Sequence, residues 1–321
     1  MTIRARILAT RRLPDAVTRR LQFDYDFRAN LDDHIMSADE IIAGAESCDA
    51  LLVTAGDSID AALVDALPSS IQMIATYSAG YEHIDLDACR RRGLTVANTP
   101  DVLTGATADV AMLLMLGAAR RAYEGERAVR ENTWQSTSLT YLLGVHLNGK
   151  RLGILGMGRI GQAVAKRARA FGMEIHYSNR RRLSSDLERG AIFYADPDAM
   201  LSQIDILSIN AAGGPGTYRW LNESRIRELP DGAIVVNTSR GSVIDEEALI
   251  AALRSGKLFA AGLDVYENEP HLAPAFRQLS NVILMPHLGS ATIETRNAMG
   301  FKALDNLDAF FAGKSVINRV A

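Results

Sequence analysis

Three short segments of this 321-residue chain each place a reactive side chain just after an apolar run that reads as a strand. They are Val236-Asn-Thr238-Ser239-Arg240-Gly241, Gly262-Leu-Asp264-Val-Tyr-Glu267-Asn-Glu269-Pro270 and Met285-Pro286-His287-Leu-Gly-Ser290. An arginine, a carboxylate and a histidine suit the reduction of a 2-oxo acid. A planar guanidinium holds a carboxylate, a protonated imidazole donates to the carbonyl oxygen, and a neighbouring carboxylate keeps that imidazole charged. Taken singly each residue has a plainer reading, a strand-ending charge or a satisfied loop histidine. Glu267 and Glu269 compete for the carboxylate role. What joins the segments is position, because ligands of a doubly wound sheet bind beyond the carboxyl ends of its strands.

A fourth segment supplies a phosphate-binding turn. In Arg151-Leu-Gly-Ile-Leu-Gly156-Met-Gly158-Arg159-Ile160-Gly161-Gln-Ala-Val-Ala, a Gly-x-Gly-x-x-Gly pattern follows an apolar strand and opens a helix. Gly156 permits the tight turn, Gly158 lets backbone approach a pyrophosphate, and Gly161 packs the helix on the strand. The phosphates then meet free N–H groups at the positive end of the helix. The next strand ends in Tyr177-Ser178-Asn179-Arg180-Arg181-Arg182, with no carboxylate to take a ribose 2′-hydroxyl. Guanidinium groups match a phosphate, and Ser178 and Asn179 add donors, so NADPH is expected over NADH, with NAD possible. The plainer reading is a solvated basic turn, since residues 90–92 repeat the arginine triplet with no evident role.

Elements able to position these segments run the length of the chain. Strands are expected at 6–9, 50–54, 73–77, 95–97, 151–155, 175–177, 204–209, 233–237, 260–263 and 282–285, and helices between them, such as 160–171 and 246–255 with Gly256 as a stop. This alternation predicts an α/β fold with two doubly wound parallel-sheet domains. Two helical segments, one from Thr104 through 108–120 and one over 290–311, look like crossings between domains. The expected division is 1–101 with 291–321 as one domain and 102–290 as the other.

Composition excludes other classes. With 48% hydrophobic and 23% charged residues the chain is too apolar for disorder, and a net charge of −3 gives no general attraction for nucleic acid. Cys48 and Cys89 cannot form a disulfide framework, and the six scattered histidines lack metal-ligand spacing, so no metal is expected. The apolar stretch 110–119 is too short to cross a bilayer, and residues 1–10 lack a signal core, which predicts a cytoplasmic protein without a membrane partner.

With these motifs in this order, the chain resembles the D-isomer-specific 2-hydroxyacid dehydrogenase family, and within it the glyoxylate/hydroxypyruvate reductases. The resemblance also rests on Tyr77-Ser78-Ala79-Gly80-Tyr81-Glu82-His83-Ile84-Asp85 and Asn98-Thr99-Pro100, and covers nearly the whole chain. It implies a Rossmann-type cofactor domain (102–290) inserted into a flavodoxin-like substrate domain. It assigns catalysis to Arg240, Glu269 and His287, favouring Glu269 over Glu267 because it precedes the proline. Substrate binding falls to Ser78, Ala79, Gly80, Arg240 and His287. Cofactor binding falls to Thr104, Gly156, Gly158, Arg159, Ile160, Gly161, Ser178, Asn179, Arg180, Arg181, Thr238, Ser239, Arg240, Asp264 and Ser290, with Asp264 on the nicotinamide carboxamide. Residues 210–217, Asn-Ala-Ala-Gly-Gly-Pro-Gly-Thr, depart from the family pattern.

The implied reaction is NADPH-preferring reduction of small 2-oxo acids, glyoxylate to glycolate and hydroxypyruvate to D-glycerate. Reduction of aryl-2-oxo acids such as phenylpyruvate is the alternative, and an NAD(H)-sensing corepressor-like binding protein is the rival from another class. A homodimer is implied, built around the helix at 104–120, with Trp134, Tyr141 or Leu142 as candidates to reach the neighbouring active site.

Overall fold

The computed structural model describes residues 4–321, in which every paired strand runs parallel to its neighbours. The chain divides into two compact units, one up to Leu103 together with Ala291–Ala321, the other Thr104–Ser290.

The first unit contains β1 (Arg6–Ala9), β2 (Asp26–Ala29), β3 (Ala50–Val53), β4 (Met73–Thr76) and β5 (Thr95–Ala97), in the order β2-β1-β3-β4-β5. That is the flavodoxin-like order, which reverses direction between β1 and β3. Its three inner strands are buried apart from Arg6 at the start of β1, so they read as short apolar runs. The helix Ile293–Phe311 covers one face, burying Met299, Ala303, Leu304 and Leu307 against β4 and its neighbours.

The second unit contains β6 (Arg151–Leu155), β7 (Glu174–Ser178), β8 (Ile192–Tyr194), β9 (Ile206–Ile209), β10 (Ala233–Asn237), β11 (Leu258–Leu263) and β12 (Val282–Leu284). Their order, β12-β11-β10-β9-β6-β7-β8, is the Rossmann order with one strand added, and it reverses between β6 and β9. The helices Thr104–Ala119 and Arg159–Ala170 pack on one face through Ala111, Met115, Val164 and Ala168. The helices Glu223–Glu228 and Glu246–Ser255 pack on the other through Ile226, Leu249 and Leu253. Asp245 caps the last of these by accepting the Ala248 N–H, and Gly256 ends it in the left-handed region at φ 77°.

Two strands escaped the sequence reading, β2 and β8. Both are edge strands: β2, Asp-Phe-Arg-Ala, is largely exposed and carries no apolar run, and β8, Ile-Phe-Tyr, is an apolar run of only three residues. The two helices read as crossings each lie within one unit, because the chain changes unit at Leu103/Thr104 and Ser290/Ala291, just before each helix begins. The arginines at 90–92 also acquire a role. Arg92 donates to the carbonyls of Val64, Leu67 (2.9 Å) and Pro68 (3.4 Å), satisfying the open end of the helix Ala61–Ala66, while Arg90 pairs with Asp87 at 2.7 Å.

Candidate active site

The glycine turn lies at the switch point of the seven-stranded sheet, directly after β6. Gly156 has φ 88°, and a Cβ there would stand 2.7 Å from backbone atoms of Ala211, so only glycine suits both the conformation and the space. A Cβ on Gly161 would meet the Gly156 carbonyl at 2.5 Å, which accounts for the close packing of helix on turn. Gly158 is different: a Cβ there would meet nothing within 4 Å. No protein atom demands glycine at that position, and the open space in front of the helix Arg159–Ala170 is where a pyrophosphate fits. Two buried polar atoms without protein partners stand at the neighbouring strand ends, Oδ1 of Asn210 after β9 and Oγ1 of Thr238 after β10. An unsatisfied buried acceptor or hydroxyl calls for a ligand partner, so the residues present fit a dinucleotide.

Beyond β7 the turn is anchored to the glycine loop. The Met157 N–H donates to Oδ1 of Asn179 at 2.6 Å, and the Gly156 N–H donates to the Ser178 carbonyl at 3.0 Å. Ser178 is buried, whereas Arg180 and Arg181 are exposed. Arg182, the third of the triplet, is engaged bidentately by Glu188 at 2.8 and 3.1 Å.

Three strand ends carry the reactive groups. After β10, the buried Asn237 side chain organises the turn: its oxygen accepts from Ser239 N–H (3.0 Å) and Oγ (2.9 Å), and its amide donates to the Arg240 carbonyl (2.9 Å). Arg240 is half-buried and donates from Nη1 to the Ser239 carbonyl at 2.8 Å. A Cβ on Gly241 would fall 1.8 Å from the Tyr266 carbonyl carbon, so this glycine lets the turn after β10 pass against the one after β11.

After β11, Glu269 bends back. Its Oε1 accepts the Tyr266 N–H at 2.9 Å and its Oε2 lies 2.6 Å from Nδ1 of His287. Burial alone would push the Glu269 carboxyl up. The hydrogen bond and charge of His287, the Tyr266 N–H and the charge of Arg240 outweigh it, and the pKa is lowered. Glu267 points elsewhere, accepting from the Tyr218 hydroxyl (2.9 Å) and Arg219 (3.2 Å), and so ties the segment following 210–217 to this turn.

After β12, His287 sits at φ 55°, a left-handed conformation that costs a non-glycine residue about 1–2 kcal/mol. Asp264 holds it there. The carboxylate, 1% exposed, accepts from Leu288 N–H at 2.6 Å and Gly289 N–H at 2.8 Å, while its carbonyl accepts the His287 N–H at 2.9 Å. Burial raises the Asp264 pKa, against the lowering effect of those backbone donors. Each Asp264 carboxylate oxygen takes one backbone N–H of the histidine turn, so the residue positions that turn and keeps an acceptor site on each oxygen. Thr107 adds a hydrogen bond from Oγ1 to the Gly289 carbonyl at 3.1 Å; Ser290 and Thr104 are partly buried at the two ends of the unit.

The loop of the first unit is equally fixed. The Thr76 and Ser78 hydroxyls lie 2.7 Å apart, Ser78 Oγ donates to the Gly80 carbonyl at 2.6 Å, and Asn98 donates to the Ala79 carbonyl at 2.7 Å. Ser78, named as substrate-binding, is buried with its hydroxyl in its own loop, while Ala79 and Gly80 are partly exposed.

Asn210, Asn237, Tyr266 and Thr107 were not singled out in the sequence. Only Asn237 carried a signal, as the first residue of Asn-Thr-Ser-Arg-Gly; Thr107 is defined by a partner distant in the chain, and Asn210 by an oxygen the fold leaves unpartnered. Among the described residues no cluster of His, Cys, Asp and Glu is arranged to hold a metal ion, and no helix is long and apolar enough to cross a membrane.

Residues 112–289 match the model of the D-isomer specific 2-hydroxyacid dehydrogenase, NAD binding domain. Glycerate dehydrogenase of Hyphomicrobium methylovorum is 44% identical over 310 residues, 96% of each chain, and glyoxylate reductase of Thermococcus onnurineus is 37% identical over 325 residues, 99% of this chain and 97% of its own. Among solved structures, an NADPH-dependent glyoxylate/hydroxypyruvate reductase from Sinorhizobium meliloti, in complex with NADP and malonate, superposes with a TM-score of 0.88 at 32% identity, covering 99% of this chain and 97% of that one. A nucleotide-binding sheet with a histidine–carboxylate pair and an arginine at its strand ends, in a chain alike from end to end, belongs to one family: the D-isomer-specific 2-hydroxyacid dehydrogenases.

Proposed function

We propose that this enzyme reduces small 2-oxo acids, glyoxylate to glycolate and hydroxypyruvate to D-glycerate, with NADPH preferred over NADH. The observation that carries the reading is the pairing of His287 with Glu269 at 2.6 Å beside the arginine-bearing turn after β10. The similarity to glyoxylate reductases and to glycerate dehydrogenase supports the substrate class. The exposed Arg180 and Arg181 after β7, with no carboxylate at that strand end, support the cofactor preference.

In this reading the guanidinium of Arg240 grips the substrate carboxylate and draws charge from the adjacent carbonyl. Because Glu269 engages Nδ1, His287 presents Nε2 as the atom that donates a proton to the carbonyl oxygen in reduction and takes it back in oxidation. Glu269, ionised through neutral pH, accepts from Nδ1 and fixes the imidazole in orientation. Asp264 sets the height of the histidine turn through three backbone hydrogen bonds. A reduced nicotinamide held there would supply the hydride that the 2-oxo carbon takes up. Ala79 and Gly80 N–H groups are assigned to the same carboxylate, and Gly156–Gly161, Thr238 and Ser290 to the dinucleotide.

A cytoplasmic homodimer completes the proposal. Trp134, Leu139, Tyr141 and Leu143 are 52%, 97%, 46% and 59% exposed on a stretch without helix or strand, and such an apolar surface favours a partner chain.

The test is loss of reduced-nicotinamide absorbance with NADPH and NADH in parallel, against glyoxylate, hydroxypyruvate, pyruvate and phenylpyruvate. Fast NADPH oxidation with the two small acids, abolished in His287→Ala, is expected. Faster turnover of phenylpyruvate overturns the small-substrate reading, and silence with every acid overturns the catalytic one.

A further inference from the structure

Tyr177 heads the fully buried large side chains of the molecule, yet its hydroxyl is not an apolar group and needs partners. It donates to Oε1 of Glu188 at 2.5 Å and accepts the Leu183 N–H at 3.0 Å. Glu188, itself only 7% exposed, takes the bidentate grip of Arg182 as well, and its carbonyl accepts from Arg169 at 2.7 Å. The Arg182 guanidinium rests 5.8 Å from the centre of the Phe193 ring, which packs against Tyr177. A phenylalanine at 177 would fill the same volume without requiring a buried carboxylate, so packing alone does not account for this group.

Its location gives the account. The segment 179–183 leaves the end of β7, the position that reads the adenosine ribose in a nucleotide fold of this order. One end is pinned by Asn179, which accepts the Met157 N–H of the glycine turn at 2.6 Å. The other end is pinned by Leu183 and Arg182, on Tyr177 and Glu188. Only Arg180 and Arg181 lie between the anchors, and both are exposed. Glu188 also neutralises the third arginine, which removes one cation from the exposed face of the turn.

We infer that Tyr177, Glu188 and Arg182 are positioning residues for cofactor choice: they hold the backbone of 179–183 so that Arg180 and Arg181 meet a 2′-phosphate. This rests on the NADPH reading above and adds its internal support. The paired arginine and phenol hold the Glu188 carboxyl below its ordinary range, so the brace stays charged through neutral pH.

Titration calorimetry of adenosine 2′,5′-bisphosphate and of AMP onto the full chain tests it, with Tyr177→Phe and Glu188→Gln as variants. The wild type is expected to favour the bisphosphate by about tenfold or more, as charge-assisted contacts to a phosphate require. Each variant is expected to lose about tenfold for the bisphosphate and to keep AMP affinity within about twofold. A variant that retains the wild-type preference overturns the inference while leaving NADPH preference standing. Equal losses for both ligands also overturn it, since they mark general damage to the site. A wild type without preference overturns the NADPH reading, and the inference with it. Tyr177→Phe removes one oxygen from a buried ring, so it keeps the test decisive if Glu188→Gln does not fold.

Discussion

Arg90, Arg91 and Arg92 close a six-residue helix in the first unit, whereas Arg180, Arg181 and Arg182 follow β7 in the second. In the first triplet, Arg92 satisfies carbonyls at the end of a neighbouring helix and Arg90 pairs with Asp87 on its own helix. In the second, only Arg182 is engaged, by Glu188, and the other two face outward from a turn braced at both ends. The first triplet leads into the amino end of a parallel strand and the second leaves the carboxyl end, where ligands bind. Identical residues thus became a helix closure in one place and a candidate anion reader in the other, according to the sheet edge they were delivered to.

The comparison can be broken experimentally. Replacing Arg180 and Arg181 together by alanine should lower kcat/KM for NADPH by about a hundredfold, since each charged hydrogen bond contributes about 1.5–3 kcal/mol, and leave NADH kinetics unchanged. Equal loss with both cofactors would erase the distinction between the triplets. Arg92→Ala should instead lower stability by about 1–3 kcal/mol, read by denaturant melts, because helix carbonyls lose their donor. Its NADPH and NADH constants should stay at wild-type values.

A paired group that is nonetheless reactive sharpens the contrast. Glu269→Gln should lower kcat of reduction by about tenfold or more, because the imidazole loses the carboxylate that holds its Nδ1 and fixes its orientation. The lowered folded pKa of Glu269 means its stabilising contribution is present above the ordinary carboxylate range and fades as pH falls through the folded value. The same variant should therefore flatten the acid side of Tm against pH. The smallest effect is expected of Tyr218→Phe, which frees one of two contacts to Glu267. KM values should rise a few-fold with the pH profile unmoved; a displaced limb would give Glu267 a part in proton transfer.

Much of this site is legible in the sequence. Gly156 and Gly161 were readable because backbone sterics at a strand–turn–helix junction admit no other residue, and Gly256 because a helix stop needs a left-handed position. The inner strands were readable as apolar runs. What escaped depends on how segments meet in three dimensions: the edge strands β2 and β8, the closure by Arg92, the brace on Glu188, and the unpartnered oxygen of Asn210.

By itself the sequence determined the elements, the phosphate-binding turn and the kinds of group available for chemistry, since these depend on local sterics and on the side chains present. The tertiary structure placed Glu269 rather than Glu267 against His287, turned Asp264 onto the histidine loop, and left Arg180 and Arg181 exposed beyond the carboxyl end of β7. Those outcomes follow from strand order and register, which bring together groups 18 or more residues apart and fix which carboxylate oxygen each donor can reach.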